Sequence, residues 1–460
     1  MRDAGQLDRF KVLRDMSMFI GFADSADETL RRAYRSYHDE QSDAFPALVS
    51  EKLEILEHFD VPGMEHAVAI CNWGRSGSLL LASYLDAHDD VVMLPMTAGC
   101  GIYPFFHEYQ SLSVWEKLVA YPAFADQFTA KRFPQGFPPF FGDDFSVGPA
   151  DYYAAVHALF MAYGERPSVS CDRRRTFFQF LHAAYAVAIG RRLGKRRPLI
   201  VYAQHVADAD LSGDFVDDFP SGRFIHTIRD PVSTLDSWFD HVSLTSTDYS
   251  LIPHPGYIKT ALDTLSIPLH ERDKPLPRMG ERTRAVRFED LHLTLENTMR
   301  DVANWLGIEY RQSLLESTFN GVPWFVESGG ATWTGPNPTN ARRRSRNLGL
   351  VDRLLMFALF HANFVAWRYP SPRIFRSKLV RLTTIAALWL VPMKMEMLTA
   401  RTVMQLQVVP CLRRGRIAFA CRAILRLFAC RWAMMQLIAT GKRARSGDER
   451  RVLALLHIQS

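Results

Sequence analysis

Polar and apolar positions along this chain follow two different periods. Short, nearly unbroken apolar runs stand at 66–71 (HAVAIC), 198–204 (PLIVYAQ), 223–228 (RFIHTI) and 285–288 (AVRF), each with the length of a buried strand. Between them, apolar residues recur every three or four positions. This happens from Ser78 to His88, from Arg175 to Leu193, from Pro231 through Trp238, and from Leu293 to Leu306, where Gly307 closes the pattern. Strands that alternate with helices predict an α/β fold, a parallel sheet flanked by helices.

The flanks of this alternation read differently. Residues 1–60 predict polar, charged helices, shut off by Pro62-Gly63 before the first strand. Residues 96–165, with GIYPFFHEY and FPQGFPPFFGDDF, predict a loop-rich insertion with short helices. A Pro-rich loop follows at 252–280. The chain thus divides into an N-terminal helical segment (1–60), an α/β domain (61–370) and a tail (371–460), without internal repeats.

Composition narrows the class. With 48% apolar and 23% charged residues, a packed core is expected rather than disorder. The six cysteines, at 71, 100, 171, 411, 421 and 430, form no Cys-x-x-Cys pair and no zinc-ligand spacing, so free thiols and no metal are expected. The opening MRDAGQLDRFKVLRD lacks the apolar stretch of a signal peptide. The most apolar window, Leu382 to Met393, is shorter than the ~20 residues of a membrane-spanning helix. A cytoplasmic location is the expectation.

Charge separates the tail from the rest. From Ser371 onward there are 17 Lys+Arg against 3 Asp+Glu, whereas the preceding residues hold 38 against 46. Within the tail, Ile417, Cys421, Ile424, Phe428, Trp432, Met435 and Ile438 share one helical face, with Arg422 and Arg426 opposite and Arg431 nearer the apolar side. A basic amphipathic helix of this kind suits an anionic membrane surface, and equally a helical subdomain packed on the core.

Candidate chemistry begins at CNWGRSGSLLL, residues 71–81. A strand that enters a Gly-rich turn and leaves as a helix exposes unpaired backbone N–H groups at the positive end of the helix dipole. Gly74 and Gly77 allow a close bend, Ser76 and Ser78 offer hydroxyls, and Arg75 offers a fixed charge. The ATP-type pattern G-x-x-x-x-G-K-[ST] is absent, because Arg75 precedes Gly77 and no lysine follows it. Alone, the turn is equally an anion cradle or a plain strand–helix connection. In RFIHTIRDPVSTLDSWFDH, Arg229 and Ser237 offer a second phosphate contact. The plainer reading pairs Arg229 with Asp230 and leaves Ser237 on a helix surface.

Taken together, these two elements resemble the sulfotransferases that use 3′-phosphoadenosine 5′-phosphosulfate (PAPS). In that family a [KR]-S-G-[ST]-[ST] turn and helix holds the 5′-phosphosulfate, and a later R-D-P…S segment holds the 3′-phosphate. The matches are Arg75-Ser76-Gly77-Ser78 with His88, and Arg229-Asp230-Pro231 with Ser237. AVRFEDL (285–291), TMRDVANWLGIEY (298–310), NGVPWF (320–325) and ARRRSRNLG (341–349) follow in the family's order. The resemblance spans residues 64–370, closest in style to the bacterial and carbohydrate-type branch. It implies a P-loop-NTPase-like sheet, with the basic helical tail as an extension.

The resemblance also implies roles. Sulfuryl transfer is an in-line displacement catalysed by positioning and electrostatics. Gly74, Arg75, Ser76, Gly77 and Ser78 would hold the sulfate end, with Arg75 stabilising the departing bridging oxygen. Arg229, Ser237 and the arginines Arg342, Arg343, Arg344 and Arg346 would clamp the 3′-phosphate. His205, ending VYAQH, stands where several branches place a histidine base, and His107 and Glu108 are the alternates. The acceptor expected is a hydroxyl of a carbohydrate or glycolipid, met by residues 96–165. Three positions depart from the pattern: Leu79 replaces a second Ser/Thr, Val201 a lysine, and Met96 a glutamate found in some branches. They leave room for a non-catalytic, membrane-associated nucleotide-binding module. A P-loop kinase would need the missing lysine, and nucleic acid is disfavoured by the acidic core and the lack of a binding motif.

Overall fold

In the computed structural model, four predicted apolar runs and one short additional strand join into a single parallel sheet, ordered β2–β3–β1–β4–β5. The structure describes residues 27–40, 43–72, 75–94, 98–124, 148–164, 174–191, 193–195, 197–206, 209–237, 280–328, 331–342 and 348–388, with shorter pieces up to 424. The N-terminal helices are α1 (Glu28–Asp39) and α2 (Phe45–Leu56). Then come β1 (Ala67–Asn72), α3 (Ser78–Asp86) and β2 (Val91–Met93). β2 is the strand the periodicity did not single out, because three residues carry too little pattern.

The described part of the expected loop-rich insertion with short helices is mainly helical. Residues 102–163 include α4 (Ile102–Glu108), α5 (Val114–Phe124) and α6 (Pro149–Tyr163). The aromatics read as loop formers are largely core: Tyr103, Phe105, Tyr121, Tyr152 and Tyr153 are buried within these elements. The Pro/Gly-rich FPQGFPPFFGDDF lies outside the described residues.

The chain continues through α7 (Arg174–Ala188), β3 (Leu199–Val206), α8 (Ala209–Asp218) and β4 (Arg223–Ile228). A helical stretch over 231–237 precedes β5 (Thr283–Arg287), α9 (Phe288–Leu293) and α10 (Leu295–Leu306). Phe288, expected to end a strand, instead starts α9.

Strand residues alternate between two cores. Ala69, Cys71, Tyr202 and Phe224 join an apolar cluster with α1, α2, α5, α6 and α7. Val68, Ile70, Val201, Ile225 and Val286 face the other way, against Leu81, Leu85, Leu291, Met299 and Val302 of α3, α9 and α10. The central β1 is buried on both faces, which needs its continuous apolar run, whereas the edge strand β5 leaves Arg284 and Ala285 exposed. The N-terminal helices are tied in: buried Lys52 of α2 pairs with Asp151 of α6 at 2.9 Å, and Tyr37 hydrogen-bonds His157.

Register places the chemistry. β1 has β3 on one side and β4 on the other, so the connections after β1, β3, β4 and β5 converge at one carboxyl edge, where the strand order reverses. Between Ile70 and Cys71 the β1–β3 register shifts by one residue, and Cys71 pairs with His205 rather than Gln204.

Beyond the sheet lie two antiparallel pairs, β6 (Thr318–Phe319) with β7 (Val322–Pro323) and β8 (Phe325–Ser328) with β9 (Ala331–Thr334). The helices α11 (Pro338–Ala341), α12 (Leu350–Leu359), α13 (His361–Ala366) and α14 (Lys378–Leu388) follow. α12 and α13 share a third cluster with Val232 and Leu235. Among the described residues no helix is long and apolar enough to cross a membrane.

Candidate active site

The Gly-rich turn is fastened to the neighbouring strand before it meets any ligand. Ser76 is fully buried, and its Oγ donates to the Thr227 carbonyl at 2.7 Å while sharing a hydrogen bond with Thr227 Oγ1 at 2.9 Å. Thr227 Oγ1 reaches back to the Cys71 carbonyl at 3.4 Å. Ser76 therefore fixes the turn on β4.

Gly77 is required twice over. Its φ is +90°, a conformation that costs an L side chain energy. A Cβ there would also stand 2.6 Å from the Phe288 ring. From Gly77 the chain enters α3, the Leu81 N–H donating to the Gly77 carbonyl at 3.0 Å. No side chain caps the start of α3, whose first residue, Ser78, is 8% exposed. Leu79 is half-buried and packs toward the α3–α10 core, the physical role of the residue that departs from the family pattern.

Arg229 follows β4 and completes the arrangement. It is buried, its Nη1 donates to the Arg75 carbonyl at 3.3 Å, and its guanidinium lies 4.1 Å above the Phe288 ring. Burial, and then the proximity of Arg229, pushes the Arg75 guanidinium down to about 10. Arg229 is also lowered by burial, against the opposing influence of Glu289 and Asp230. Among the described residues no carboxylate lies within ion-pair distance of Arg75 or Arg229. The turn thus brings the half-buried Arg75 and the buried Arg229 together with no carboxylate at ion-pair distance among the described residues.

The nearby acids are employed elsewhere. Asp230 does not pair with Arg229; its Oδ2 accepts from the Ser233 N–H at 2.8 Å and hydroxyl at 2.7 Å. Glu289 accepts from the Asp230 N–H at 3.3 Å and from the Tyr369 hydroxyl at 2.5 Å. Ser237, half-buried, lies one helical repeat beyond Ser233.

His292, one turn after Phe288, sits edge-on to that ring at 4.4 Å, and its Nδ1 accepts the Asn337 N–H at 2.8 Å. Burial, followed by Arg229, pushes this imidazole down to about 4.

The other expected residues distribute unevenly. His205 reaches the same carboxyl edge by register, opposite Cys71. His107 engages Asp214 of α8 at 2.7 Å, and Glu108 is exposed beside it. Arg342 is exposed and follows α11. Gly74, Arg343, Arg344, Arg346 and Met96 lie outside the described residues. His88 is structural, with Nε2 on the Glu309 carbonyl at 2.7 Å and Nδ1 accepting from Asp90 at 3.0 Å.

Sequence reasoning missed Thr227, Phe288 and Asp86. The last accepts from Thr318 Oγ1 at 3.1 Å and the Gly321 N–H at 3.0 Å, fastening the NGVPWF hairpin to α3. Its signal was faint: a carboxylate on an otherwise apolar helix. Among the described residues no cluster of three His, Cys, Asp or Glu is arranged to hold a metal ion.

Comparison with known proteins bears on this edge. No curated protein matches the chain. Three solved structures share low identity with it. The sulfotransferase domain from the curacin biosynthetic pathway is 13% identical, covering 67% of this chain and 99% of that one with a TM-score of 0.38. The sulfotransferase domain from the Synechococcus PCC 7002 olefin synthase is 14% identical, with coverages of 70% and 93% and a TM-score of 0.30. Sulfotransferase STF9 from Mycobacterium avium is 13% identical, with coverages of 68% and 86% and a TM-score of 0.32. A family model described as the sulfotransferase family matches residues 68–312, just over half of the chain and the stretch that carries Gly77, Arg229, Phe288 and His292. The chain belongs to the sulfotransferase family.

Proposed function

We propose that the protein moves a sulfuryl group from PAPS to an acceptor hydroxyl. One observation carries this reading: Arg75 and Arg229, joined through the Arg75 carbonyl, have no carboxylate within ion-pair distance among the described residues and lie at the uncapped start of α3. In this scheme the amides at the start of α3 and Ser78 hold the sulfate end. Arg75 faces the bridging oxygen that gains charge as its bond to sulfur breaks and the acceptor oxygen bonds to sulfur. Being permanently charged, Arg75 stabilises that oxygen without giving it a proton. Arg229, Ser237 and the basic run Arg342, Arg343, Arg344 take the 3′-phosphate. His205 accepts the acceptor's proton; His107 and Glu108 are the alternates. No step calls for a metal.

The domain limits proposed are 1–60, 61–370 and 371–460. A carbohydrate or glycolipid acceptor fits best, and the tail supports it. Ile374, Leu379 and Leu382 are 61%, 70% and 55% exposed, interleaved with Arg373, Arg376, Lys378 and Arg381. Apolar side chains held in water among cations match the inner, anionic face of a membrane. The face predicted over 417–438 falls mostly outside the described residues. Removal of residues 371–460 should abolish sedimentation with phosphatidylserine vesicles; unchanged sedimentation would sink the membrane reading.

The nucleotide reading is tested by calorimetry with 3′-phosphoadenosine 5′-phosphate. A dissociation constant in the micromolar range or tighter is expected. A folded sample with no detectable binding would falsify it.

A further inference from the structure

The site holds a buried polar atom that the fold leaves unmatched. His292 is 5% exposed, and its Nδ1 is occupied by the Asn337 N–H. The ring proton of the neutral imidazole therefore sits on Nε2, and that buried Nε2 meets no acceptor among the described residues. Burying an N–H without a partner is unfavourable, so such a group points to a missing acceptor.

Its neighbours indicate which acceptor. The Phe288 ring has the His292 imidazole at 4.4 Å and the Arg229 guanidinium at 4.1 Å. The two nitrogen groups thus share one aromatic wall, and Arg229 is close enough to disfavour an imidazolium. A neutral donor next to a buried arginine adds a hydrogen bond without adding to the crowding of cations. On the other side, Asn337 caps α11 through its Oδ1, which accepts from the Thr339 and Asn340 amides at 3.0 and 3.2 Å, and α11 leads directly to Arg342.

We infer that His292 is a second anchor for the phosphate held by Arg229: Nε2–H donates to a phosphate oxygen, while Nδ1 fixes the segment that leads to Arg342. The inference rests on the nucleotide reading above and adds to it a residue four positions beyond Phe288. The group recognised is a phosphate monoester.

The full chain is titrated calorimetrically with 3′-phosphoadenosine 5′-phosphate and with adenosine 5′-phosphate, and the ratio of affinities is read. His292→Asn keeps an acceptor near the Nδ1 position and removes the Nε2 donor; His292→Gln extends its amide toward the Nε2 position. His292→Asn should weaken the bisphosphate about tenfold, the worth of one hydrogen bond to a charged group, and leave the monophosphate unchanged. His292→Gln should keep the ratio within about threefold of wild type by the same measure. An unchanged ratio in His292→Asn overturns the inference, as does equal weakening of both nucleotides. In the unmutated protein the His292 Nε2 resonance should move on adding the bisphosphate and not the monophosphate; a resonance that ignores both overturns it without any variant. A wild type that binds neither nucleotide, or binds both alike, fails the nucleotide reading itself.

Discussion

Two arginine sites in this molecule use the same guanidinium to opposite ends. Arg174, at the start of α7, pairs with Asp214, with Asp218 at 2.9 Å and with Asp217 at 3.9 Å, and lies over the Tyr103 ring. Burial lowers its proton affinity, but Asp218 and Asp214 more than restore it. Arg75 and Arg229 have no such ion pairs among the described residues, meet through the Arg75 carbonyl, and are both lowered. The first arrangement is complete within the chain and joins α7 to α8. The second is left unpaired within the described residues, as the proposed phosphate contact requires. The difference separates a paired cation from an unpaired one more sharply than sequence position does, because Arg174 and Arg229 both sit at the end of a regular element.

The comparison is broken or sharpened by experiment. Arg229→Ala should weaken 3′-phosphoadenosine 5′-phosphate at least about 100-fold, as truncation of a charged contact does, without lowering the thermal midpoint. A variant that loses stability and keeps affinity would make Arg229 another Arg174. Arg174→Ala should do the reverse, costing about 2–3 kcal/mol in urea unfolding because Asp218 is left buried without its partner, with nucleotide affinity unchanged. Ser76→Ala removes the fastening to Thr227 and should cost about 1 kcal/mol. Nucleotide affinity should then fall only a few-fold, as calorimetry would read. The smallest effect is spectroscopic. His182 is held at about 4 chiefly by burial, His292 by burial and then by Arg229. Neutralising Arg229 with a bound phosphate favours the imidazolium, so His292 should titrate at higher pH with nucleotide present while His182 stays put in an NMR titration.

Much of the sheet, and the place of the turn and of Arg229 on it, was legible in the sequence. The strand runs, the turn and Arg229 rest on local pattern, and local pattern survives folding: four of the five strands lie where their apolar runs stand. What was not legible depends on distant pairing. Ser76 looked like a phosphate donor, yet it meets Thr227, 151 residues away. Phe288 looked like the end of a strand, yet it walls the turn, supports Arg229 and forbids a side chain at Gly77. The aromatics between 102 and 163 were read by composition as a loop-rich insertion with short helices, but many of them fill the core that those helices build. Asp230 offered a local ion pair with Arg229 and took the Ser233 amide instead, since a helix start next door satisfies a carboxylate at lower desolvation cost.

The contact between Gly77 and Phe288 has a kinetic consequence. The two residues are far apart in sequence, and Phe288 follows directly on β5, which pairs with β4 at the edge of the sheet. Pairings of such long separation form late, after the loop-closure entropy of the intervening chain has been overcome. A growing chain that has already folded β1, α3 and β3 would possess the glycine turn but neither its wall nor Arg229 at full support. Affinity for the nucleotide should therefore switch on near the end of folding, as one event rather than by degrees.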